Sequence, residues 1–492
     1  MGCQSRSNAR KNGIAGNLIW SFAERISAQL VSTVVGIILA RMLSPSDYGV
    51  ISMVMVFITI CNLFVTRGLG TAVVQKKEVG ELDYSTAFSL NLLMGVILYF
   101  FLFVLAPKIE CIYGISHLTE IIRVLGIRVP LASINTVQQA YIQRNMQFRK
   151  FFVATLFGTV ISCIVGLVMA YRGYGVWALI FQYLTNAIID TLILSFVSGW
   201  HISMKISHES ANYIVVFGGK ILITDLICTL ADNYRNFIVG KKFGSMELAY
   251  VEQGKKYPQL LVDNVISSIQ KVMLPGFSKH QDNIVDLKKM LRTSINLGLS
   301  VLVPMLVGFM ALSSNFVEVV LTEKWLPIVK FILVFTIGYL TRVFESISHQ
   351  AILAIGRSEI VLRIQIFINI IDVFMVSVVV IFIRDVFILA CTTIVTTSLG
   401  VLSFSYVTRK YINYSIKEQL RDVLPTLMAS CLMGAIVFCC GRLHGEKIVI
   451  LLFQVLVGIL VYLLLAGLFK MKIYFILKEG IKRRFLSRCR SK

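Results

Sequence analysis

Several Lys and Arg residues lie inside long apolar runs of this 492-residue sequence. Each costs ~2.5 kcal/mol or more at the centre of a bilayer, so such a residue normally faces a cavity or a partner. Arg binds phosphate through two parallel hydrogen bonds, and Lys binds it as a point charge. The cations selected as lining an aqueous cavity and binding an anionic group are Arg25, Arg123, Arg128, Lys220, Arg235, Lys255, Lys256 and Arg342.

Acidic residues share helix faces with these cations. A helix turns by about 100° per residue, which places Asp225 and Asp232 on the same side as the cations of their segment. Glu252 and Asp263 lie on the side of Lys256 in the next segment. Carboxyl groups at such positions carry protons or ions in membrane transport, so these four acids are candidates for ion coupling.

A structural role is the alternative for each of these residues. Asp232 and Arg235 are close enough along one helix to form an ion pair, and so are Glu252 and Lys256. Arg123 can extend its charged end to the membrane surface. In this interpretation the acids only balance the charge of the cations.

The amino-acid composition indicates what kind of protein contains these residues. Hydrophobic residues make up 57% of the chain and charged residues 15%, against about 45–50% and about 25% in soluble domains. The surplus apolar surface must face lipid, which excludes a soluble multidomain enzyme and a disordered chain. The net charge of +22 is typical of the Lys and Arg excess in cytoplasmic loops, and nucleic-acid binding is the poorer interpretation.

The apolar runs predict about fourteen transmembrane helices. They lie near 14–40, 49–69, 84–106, 118–143, 151–171, 174–199, 210–239, 247–274, 291–316, 326–354, 359–383, 386–408, 420–441 and 447–469. The run at 247–274 contains several charged residues, and we retain it because both of its neighbours are spans. The inside loops and tails then hold about three times as many Lys and Arg as the outside loops, which predicts that both termini are cytoplasmic.

Two pairs of similar segments predict an internal repeat. Residues 41–50 are similar to 241–250, and residues 139–148 are similar to 350–359. We infer an all-α integral membrane protein with two parallel six-helix lobes around a central cavity and a C-terminal helix pair. The predicted divisions are a cytoplasmic N-tail at 1–13, an N-lobe at 14–205, a C-lobe at 206–410, the last helix pair at 411–469 and a basic cytoplasmic C-tail at 470–492.

The sequence contains no catalytic or cofactor motif that we recognise. It has neither a G-x-x-x-x-G-K-[ST] loop nor an H-E-x-x-H motif, and its cysteines lie mostly in apolar runs without a C-x-x-C pair. We therefore expect no enzyme activity, no cofactor and no metal site. In the tail at 470–492, basic residues alternate with apolar ones, which predicts a helix on the anionic inner leaflet.

Several short motifs follow one another along the chain in an order that is typical of one protein family. They are RMLSPSDYG at 41–49, GLGTAVVQK at 68–76, DYSTAF at 83–88, QRNMQFR at 143–149, GYGVWAL at 173–179, VMLPGFS at 272–278, VPMLVGF at 303–309 and EKW at 323–325. As a set they resemble the polysaccharide transporters, which are flippases of lipid-linked oligosaccharides such as O-antigen and exopolysaccharide precursors. Their superfamily includes the multidrug and toxic-compound extruders and the lipid II flippases.

The resemblance implies a function and partners. The chain would flip a lipid-linked anionic oligosaccharide, carried on polyprenyl pyrophosphate, across the bacterial cytoplasmic (inner) membrane by alternating access, for lipopolysaccharide or exopolysaccharide assembly. Membrane lipids are further partners, and a polysaccharide polymerase or export machinery stays open as a protein partner. A multidrug extruder of the same superfamily is the alternative, although a cationic drug would favour an acidic site. A membrane polysaccharide polymerase or ligase is the less favoured alternative, because no large outer loop is present.

Overall fold

Helices joined by short loops make up the part of the chain that the structure describes. The structure is a computed structural model and describes residues 29–68, 79–145, 147–199, 203–279, 283–469 and 471. No strand occurs among these residues, and the predicted all-α membrane architecture is confirmed. The candidate Arg25, the predicted N-tail and the predicted surface helix of the C-tail lie outside the described residues.

The chain divides into two compact units, Met1–Ala249 and Tyr250–Lys492, called unit 1 and unit 2 below. Where the structure describes unit 1, its helices are α1 (Gln29–Met42), α2 (Pro45–Leu63), α3 (Glu81–Tyr113), α4 (Leu118–Gly126), α5 (Arg128–Arg144), α6 (Phe148–Tyr171), α7 (Val176–Val197) and α8 (His208–Phe243). The next helix, α9 (Ser245–Lys279), begins in unit 1 and continues into unit 2. The division into lobes after residue 205 stays a prediction.

The described residues of unit 2 form the rest of α9 and seven further α-helices. These are α10 (Ile284–Phe316), α11 (Ile328–Tyr339), α12 (Arg342–Ala354), α13 (Ser358–Val378), α14 (Val386–Ile412), α15 (Ile416–Cys440) and α16 (Lys447–Leu468). Turns of π-helix extend α2, α10 and α13 over Phe64–Gly68, Val317–Leu321 and Val379–Ile383. A short 3-10 helix, Glu323–Trp325, precedes α11, and its buried Trp325 packs edge-on against Tyr250 of α9.

Nine helices of the described part are long and apolar enough to cross a membrane. They are Pro45–Thr66, Glu81–Tyr113, Arg149–Tyr171, Val176–Val197, Ile284–Leu321, Ser358–Ile383, Val386–Ile412, Ile416–Cys440 and Lys447–Leu468. The other predicted spans correspond to α1, to the charged helices α8 and α9, and to the pairs α4–α5 and α11–α12. Helices α8 and α9 have 36 and 35 residues, which is more than the ~20 that a span requires.

The predicted span at 118–143 is broken into α4 and α5. Pro130 has no N–H group to donate to the carbonyl of Gly126, so the hydrogen-bond ladder is interrupted and α4 ends at Gly126. The chain passes through one turn residue, and α5 begins at Arg128.

The predicted span at 326–354 is broken in a similar way into α11 and α12. The hydroxyl of Thr341 donates to the carbonyl of Gly338 at 3.0 Å, which competes with the backbone hydrogen bonds of the helix. Helix α12 then begins at Arg342. Each unit therefore has a discontinuous helix whose second half begins with an arginine, as a structural repeat would produce.

The motif at 41–49 forms the start of α2. Ser44 caps the helix, and its backbone N–H donates to the carboxylate of Asp47 at 2.9 Å in a capping box. Gly49 faces the backbone of Ser245, and a Cβ at this position would lie 1.8 Å from the Ser245 carbonyl oxygen. Only glycine fits there, so the motif positions α2 against the start of α9 within unit 1.

Each unit has an apolar core of its own. In unit 1, Val54 of α2 belongs to a buried cluster that also contains Ile122 of α4. In unit 2, Met433 of α15 and Tyr462 of α16 belong to a cluster that packs against Val307 of α10. The C-terminal helix pair is therefore attached to α10.

Candidate functional site

Charged residues of unit 2 gather around Tyr339, at the break between α11 and α12. The phenol lies within electrostatic range of the cations Lys255 and Arg342 and of the acids Glu252 and Asp263. We name these five residues the Tyr339 cluster. It brings together two of the selected cations and two of the acids selected for ion coupling.

Close packing holds α9 beside α11 and α12. At Gly254, a Cβ would lie 2.5 Å from the Cβ of Phe331 in α11, so the two helices approach through the glycine. Further along α9, Nε2 of Gln270 donates to Oγ of Ser346 in α12 at 2.8 Å. Gln270 lies on the same face of α9 as Glu252 and Asp263, so its contact with Ser346 holds the charged face of α9 next to α12.

Arg342 has a defined partner within α12. Its Nη1 lies 3.2 Å from Oε2 of Glu345, and the side chain of Arg342 is 48% exposed. Part of the guanidinium group therefore stays accessible. Among the described residues, the buried Oε1 of Glu252 has no hydrogen-bond partner. The Tyr339 cluster thus offers both an accessible cationic donor and an acceptor.

Lys256 is set apart from the Tyr339 cluster. Its side chain is exposed, and its Nζ lies 6.0 Å from the ring centre of Tyr257. The helical arc predicted from the sequence groups Lys256 with Glu252, whereas in the structure the neighbouring Lys255 approaches Tyr339. A role for Lys256 in substrate binding stays a prediction.

In unit 1, Arg128 contacts α2 and α7 from the start of α5. Its guanidinium lies 5.1 Å from the ring centre of Tyr183 in α7, and its Nη1 lies 3.6 Å from Sδ of Met55 in α2. Asp190 lies within electrostatic range. The buried Nε of Arg128 has no hydrogen-bond partner in the described part of the chain. A cation with an unused donor is therefore enclosed by aromatic and thioether groups.

Arg123 packs against a different helix. Its guanidinium lies 4.1 Å from the ring centre of Phe103 in α3, and the hydroxyl of Tyr99 donates to the Arg123 carbonyl at 3.2 Å. This cation–π contact covers part of the half-buried Arg123 side chain, whose buried Nε, like that of Arg128, has no hydrogen-bond partner in the described part of the chain. The structure thus places Arg123 and Arg128 against different neighbours.

Four further candidates lie on α8. Asp225 and Arg235 are half-buried, and Asp232 is exposed. Each of these three side chains takes part in at least one interaction, so none of them is a free charge. Lys220 lies on the same helix, outside the side chains that the structure describes.

An apolar cavity of about 700 Å³ lies within unit 2. It is lined by residues of four helices, which include Tyr257 and Leu261 of α9, Gly308 of α10, Val437 of α15 and Gly458 of α16. This cavity was not predicted from the sequence. The sequence feature that could have indicated the cavity is the pair of small residues on α10 and α16. Small residues are just as common where helices simply pack closely.

Two polar side chains that line the apolar cavity, Tyr462 and Gln454, already have hydrogen-bond partners. The hydroxyl of Tyr462 donates to the carbonyl of Ser300 at 2.7 Å. Nε2 of Gln454 donates to the carbonyl of Val437 at 2.9 Å, and its Oε1 accepts from Asn315 at 2.9 Å. Because these hydrogen bonds are already made, the cavity suits an apolar ligand.

Helix α9 carries the two sites on opposite faces. At about 100° per residue, Tyr257 and Leu261 lie within about 40° of each other on the cavity side. Glu252 and Asp263 lie about 150° away on the side of the Tyr339 cluster. A molecule with a charged end and a long apolar end can therefore contact both faces of one helix.

Three curated relatives come from bacteria. The teichuronic acid biosynthesis protein TuaB of Bacillus subtilis is 24% identical over 310 residues, which are 61% of this chain and 62% of TuaB. The succinoglycan biosynthesis transport protein ExoT of Rhizobium meliloti is 21% identical over 63% of each chain. The lipopolysaccharide biosynthesis protein WzxC of Escherichia coli is 22% identical over 67% of this chain and 68% of its own. The chain thus spans somewhat less than two thirds of the length of TuaB and ExoT.

Two solved structures share the fold. A structure of the lipid II flippase MurJ in an inward closed conformation covers 92% of this chain and 98% of its own, with a TM-score of 0.74 at 15% identity. An inward-facing structure of a multidrug resistance MATE family transporter covers 79% of this chain and 96% of its own, with a TM-score of 0.61 at 15% identity. At such identities the likeness concerns the fold alone.

The sequence pattern of a family described as "Polysaccharide biosynthesis protein" matches residues 38–330. This range is more than half of the 492-residue chain, and it contains every motif on which the predicted resemblance depends. The resemblance is therefore confirmed, and the chain belongs to the polysaccharide biosynthesis protein family.

Proposed function

We propose that this chain moves a lipid-linked, anionic oligosaccharide across the bacterial cytoplasmic membrane during the assembly of a surface polysaccharide. The names of the relatives support this class of substrate, since TuaB is named for teichuronic acid and WzxC for lipopolysaccharide. MurJ, whose fold is shared, is named a flippase of lipid II. By this proposal the chain is a transporter and not an enzyme.

The observation that carries the proposal is the pair of sites on α9. The apolar cavity faces Tyr257 and Leu261, and the Tyr339 cluster lies on the opposite face of the helix. A soluble sugar would make no use of the apolar cavity, and a purely apolar lipid would make no use of the charges of the Tyr339 cluster. An amphiphile with an anionic head and a long tail uses both.

The head is a pyrophosphate that links the lipid to the sugar. Lys255 and the accessible part of the Arg342 guanidinium bind its oxygen atoms, and the nearby acids keep the binding weak enough for release. Arg128 of unit 1 stays a further candidate cation. Arg25, Arg123, Lys220, Arg235 and Lys256 stay further candidates for contacts with the head.

The tail occupies the apolar cavity while the head crosses. An oligosaccharide head cannot cross the ~30 Å hydrocarbon core unaided, so the protein exposes the polar site first to one side and then to the other by alternating access. The sequence contains no nucleotide-binding loop that we recognise. An ion gradient, the membrane potential or consumption of the product drives the process, and Asp225, Asp232, Glu252 and Asp263 are the candidates for ion coupling.

The orientation follows from the charge of the loops. The inside loops and tails hold about three times as many Lys and Arg residues as the outside loops, so both termini lie in the cytoplasm. The product then appears on the outer leaflet, where a polysaccharide polymerase or export machinery would consume it.

Flipping of a polyprenyl-pyrophosphate-linked sugar by purified protein in liposomes tests the role of the Tyr339 cluster. We expect Lys255→Gln and Arg342→Gln each to lower the rate about tenfold, because a charge-assisted hydrogen bond contributes roughly 1.5–3 kcal/mol. Arg342→Lys should be milder. Lys330→Gln is the matched control, since Lys330 is an exposed cation of α11 that lies over Phe331. Equal rates for the three Gln variants at equal protein levels would contradict the proposal.

A further inference from the structure

A cluster of charged residues joins the start of α10 to the start of α15, apart from both sites described above. Nζ of Lys288 lies 2.9 Å from Oε2 of Glu418. Nε and Nη2 of Arg292 each donate to a different oxygen of Asp422 at 2.7 Å. The hydroxyl of Tyr414 donates to Oδ2 of Asp422 at 2.9 Å. These five residues are called the α10–α15 ion cluster.

The geometry of this cluster follows from helix periodicity. Lys288 and Arg292 are one turn apart on α10, and Glu418 and Asp422 are one turn apart on α15, so two matching pairs face each other. Planar Arg and carboxylate groups with two parallel hydrogen bonds fix direction as well as distance. Burial and the hydrogen bond to Asp422 raise the pKa of Tyr414, which lies between α14 and α15, so its hydroxyl stays a donor at neutral pH.

The same two helices meet again further along. At Gly434 of α15, a Cβ would lie 2.6 Å from Cγ1 of Val307 in α10. Asn315 of α10 then reaches the carbonyl of Gly441 at 3.4 Å. Contacts between α10 and α15 thus advance in parallel from the ion cluster to the far end of both helices, and the cluster fixes the register at one end.

The apolar cavity lies along this pair of helices. Pro304 and Gly308 of α10 line it together with Met433 and Val437 of α15. A shift of α15 relative to α10 therefore changes the shape of the cavity, although the ion cluster contributes no lining residue to it.

We propose that the α10–α15 ion cluster sets the width of the apolar cavity, with Arg292 and Asp422 as positioning residues for the lipid tail. The inference rests on the proposed function, because it assigns the cavity to that tail. It predicts that the cluster affects substrates according to tail length and leaves the binding of the head unchanged.

The test compares two substrates with the same pyrophosphate-linked sugar, one on a long polyprenyl tail and one on a tail of a few isoprene units. We expect Asp422→Asn to raise the KM for the long-tail substrate about fivefold and to leave the KM for the short-tail substrate unchanged. The double variant with Arg292→Asp and Asp422→Arg exchanges the two charges, so it restores the ion pair with its direction reversed. It should return the KM for the long-tail substrate to near the wild-type value.

A distance measurement gives a readout that needs no transport. Asn264 of α9 and Leu432 of α15 are exposed and do not line the cavity. Nitroxide labels at these positions, in a background without native cysteines, should show a broader distance distribution in Asp422→Asn and a narrow one in the exchanged pair. If wild-type protein transported nothing, the proposed function would fail, and the distances alone would decide whether the cluster sets the width.

Three outcomes would overturn the inference. One is an unchanged distance distribution in Asp422→Asn. Another is an equal effect on both tails, which would mean general destabilisation. The third is failure of the exchanged pair to restore the long-tail KM while the protein is folded at wild-type levels.

Discussion

Gly158 shows how a single residue supports the environment of Arg128 in unit 1. A Cβ at Gly158 of α6 would lie 1.9 Å from Oδ1 of Asp190 in α7. Asp190 in turn lies within electrostatic range of Arg128. The glycine thus leaves room for the carboxylate that sits near the buried cation.

Gly158→Ala should destabilise the protein by about 1–3 kcal/mol, because the added methyl group overlaps the carboxylate of the half-buried Asp190. Gly219→Ala is the matched control. Gly219 also lies within a helix, and a Cβ added there would have no atom within 4 Å. Alanine there should be neutral or stabilising by up to about 1 kcal/mol through helix propensity. Thermal unfolding in detergent compares the two variants, and equal midpoints would contradict the close approach at Gly158.

The cations at the candidate sites were predictable from the sequence, but their partners were not. Arg128 and Arg342 stand out because charge inside an apolar run is costly. Their partners depend on how separate helices pack. Tyr183 covers Arg128, and Lys255 approaches Tyr339. The sequence selected both Lys255 and Lys256, because periodicity alone does not state which of the two lies near Tyr339.

Among the helices, α10 offers a direct test of the apolar cavity at Gly308. A Cβ at Gly308 would lie 3.5 Å from Cε of Met433, so there is room for a side chain to grow into the cavity. Gly308→Phe should fill this space and lower the flipping of a long-tail substrate about tenfold, since the tail loses its apolar contacts. The measurement is the flipping rate in liposomes at matched protein levels.

Leu432→Phe is the control for side-chain size. Leu432 lies on α15, is 50% exposed and does not line the cavity. The Leu432→Phe variant should flip the long-tail substrate at the wild-type rate. Wild-type flipping by Gly308→Phe would show that the tail does not use the cavity.

The elements themselves were largely predictable, and the exceptions have local causes. Apolar length and period give the long spans, and the charged run at 247–274 is indeed part of the continuous helix α9. The two breaks were not predicted, because Pro130 and Thr341 lie in apolar surroundings that read as unbroken spans. The apolar cavity could not be predicted from the sequence, because it exists only where four helices meet.

At the scale of the whole molecule, the proposed orientation makes a prediction about topology. Because Lys and Arg are concentrated in alternate loops, both termini should be cytoplasmic. Reporter fusions after residues 112, 244 and 444 should report the outside, and fusions after residues 75, 147 and 284 the inside. A reversal at residue 244 would contradict the assignment of the charged helices α8 and α9 as two separate spans.

The central claim is that the chain moves a lipid-linked, anionic oligosaccharide between leaflets. The most direct test is to place purified protein in liposomes with a polyprenyl-pyrophosphate-linked oligosaccharide and to measure how fast the sugar appears on the opposite leaflet, with and without a pH or sodium gradient. We expect protein-dependent flipping that is faster than for the same oligosaccharide on an uncharged polyprenyl carrier. A rate equal to that of protein-free liposomes under every gradient would contradict it.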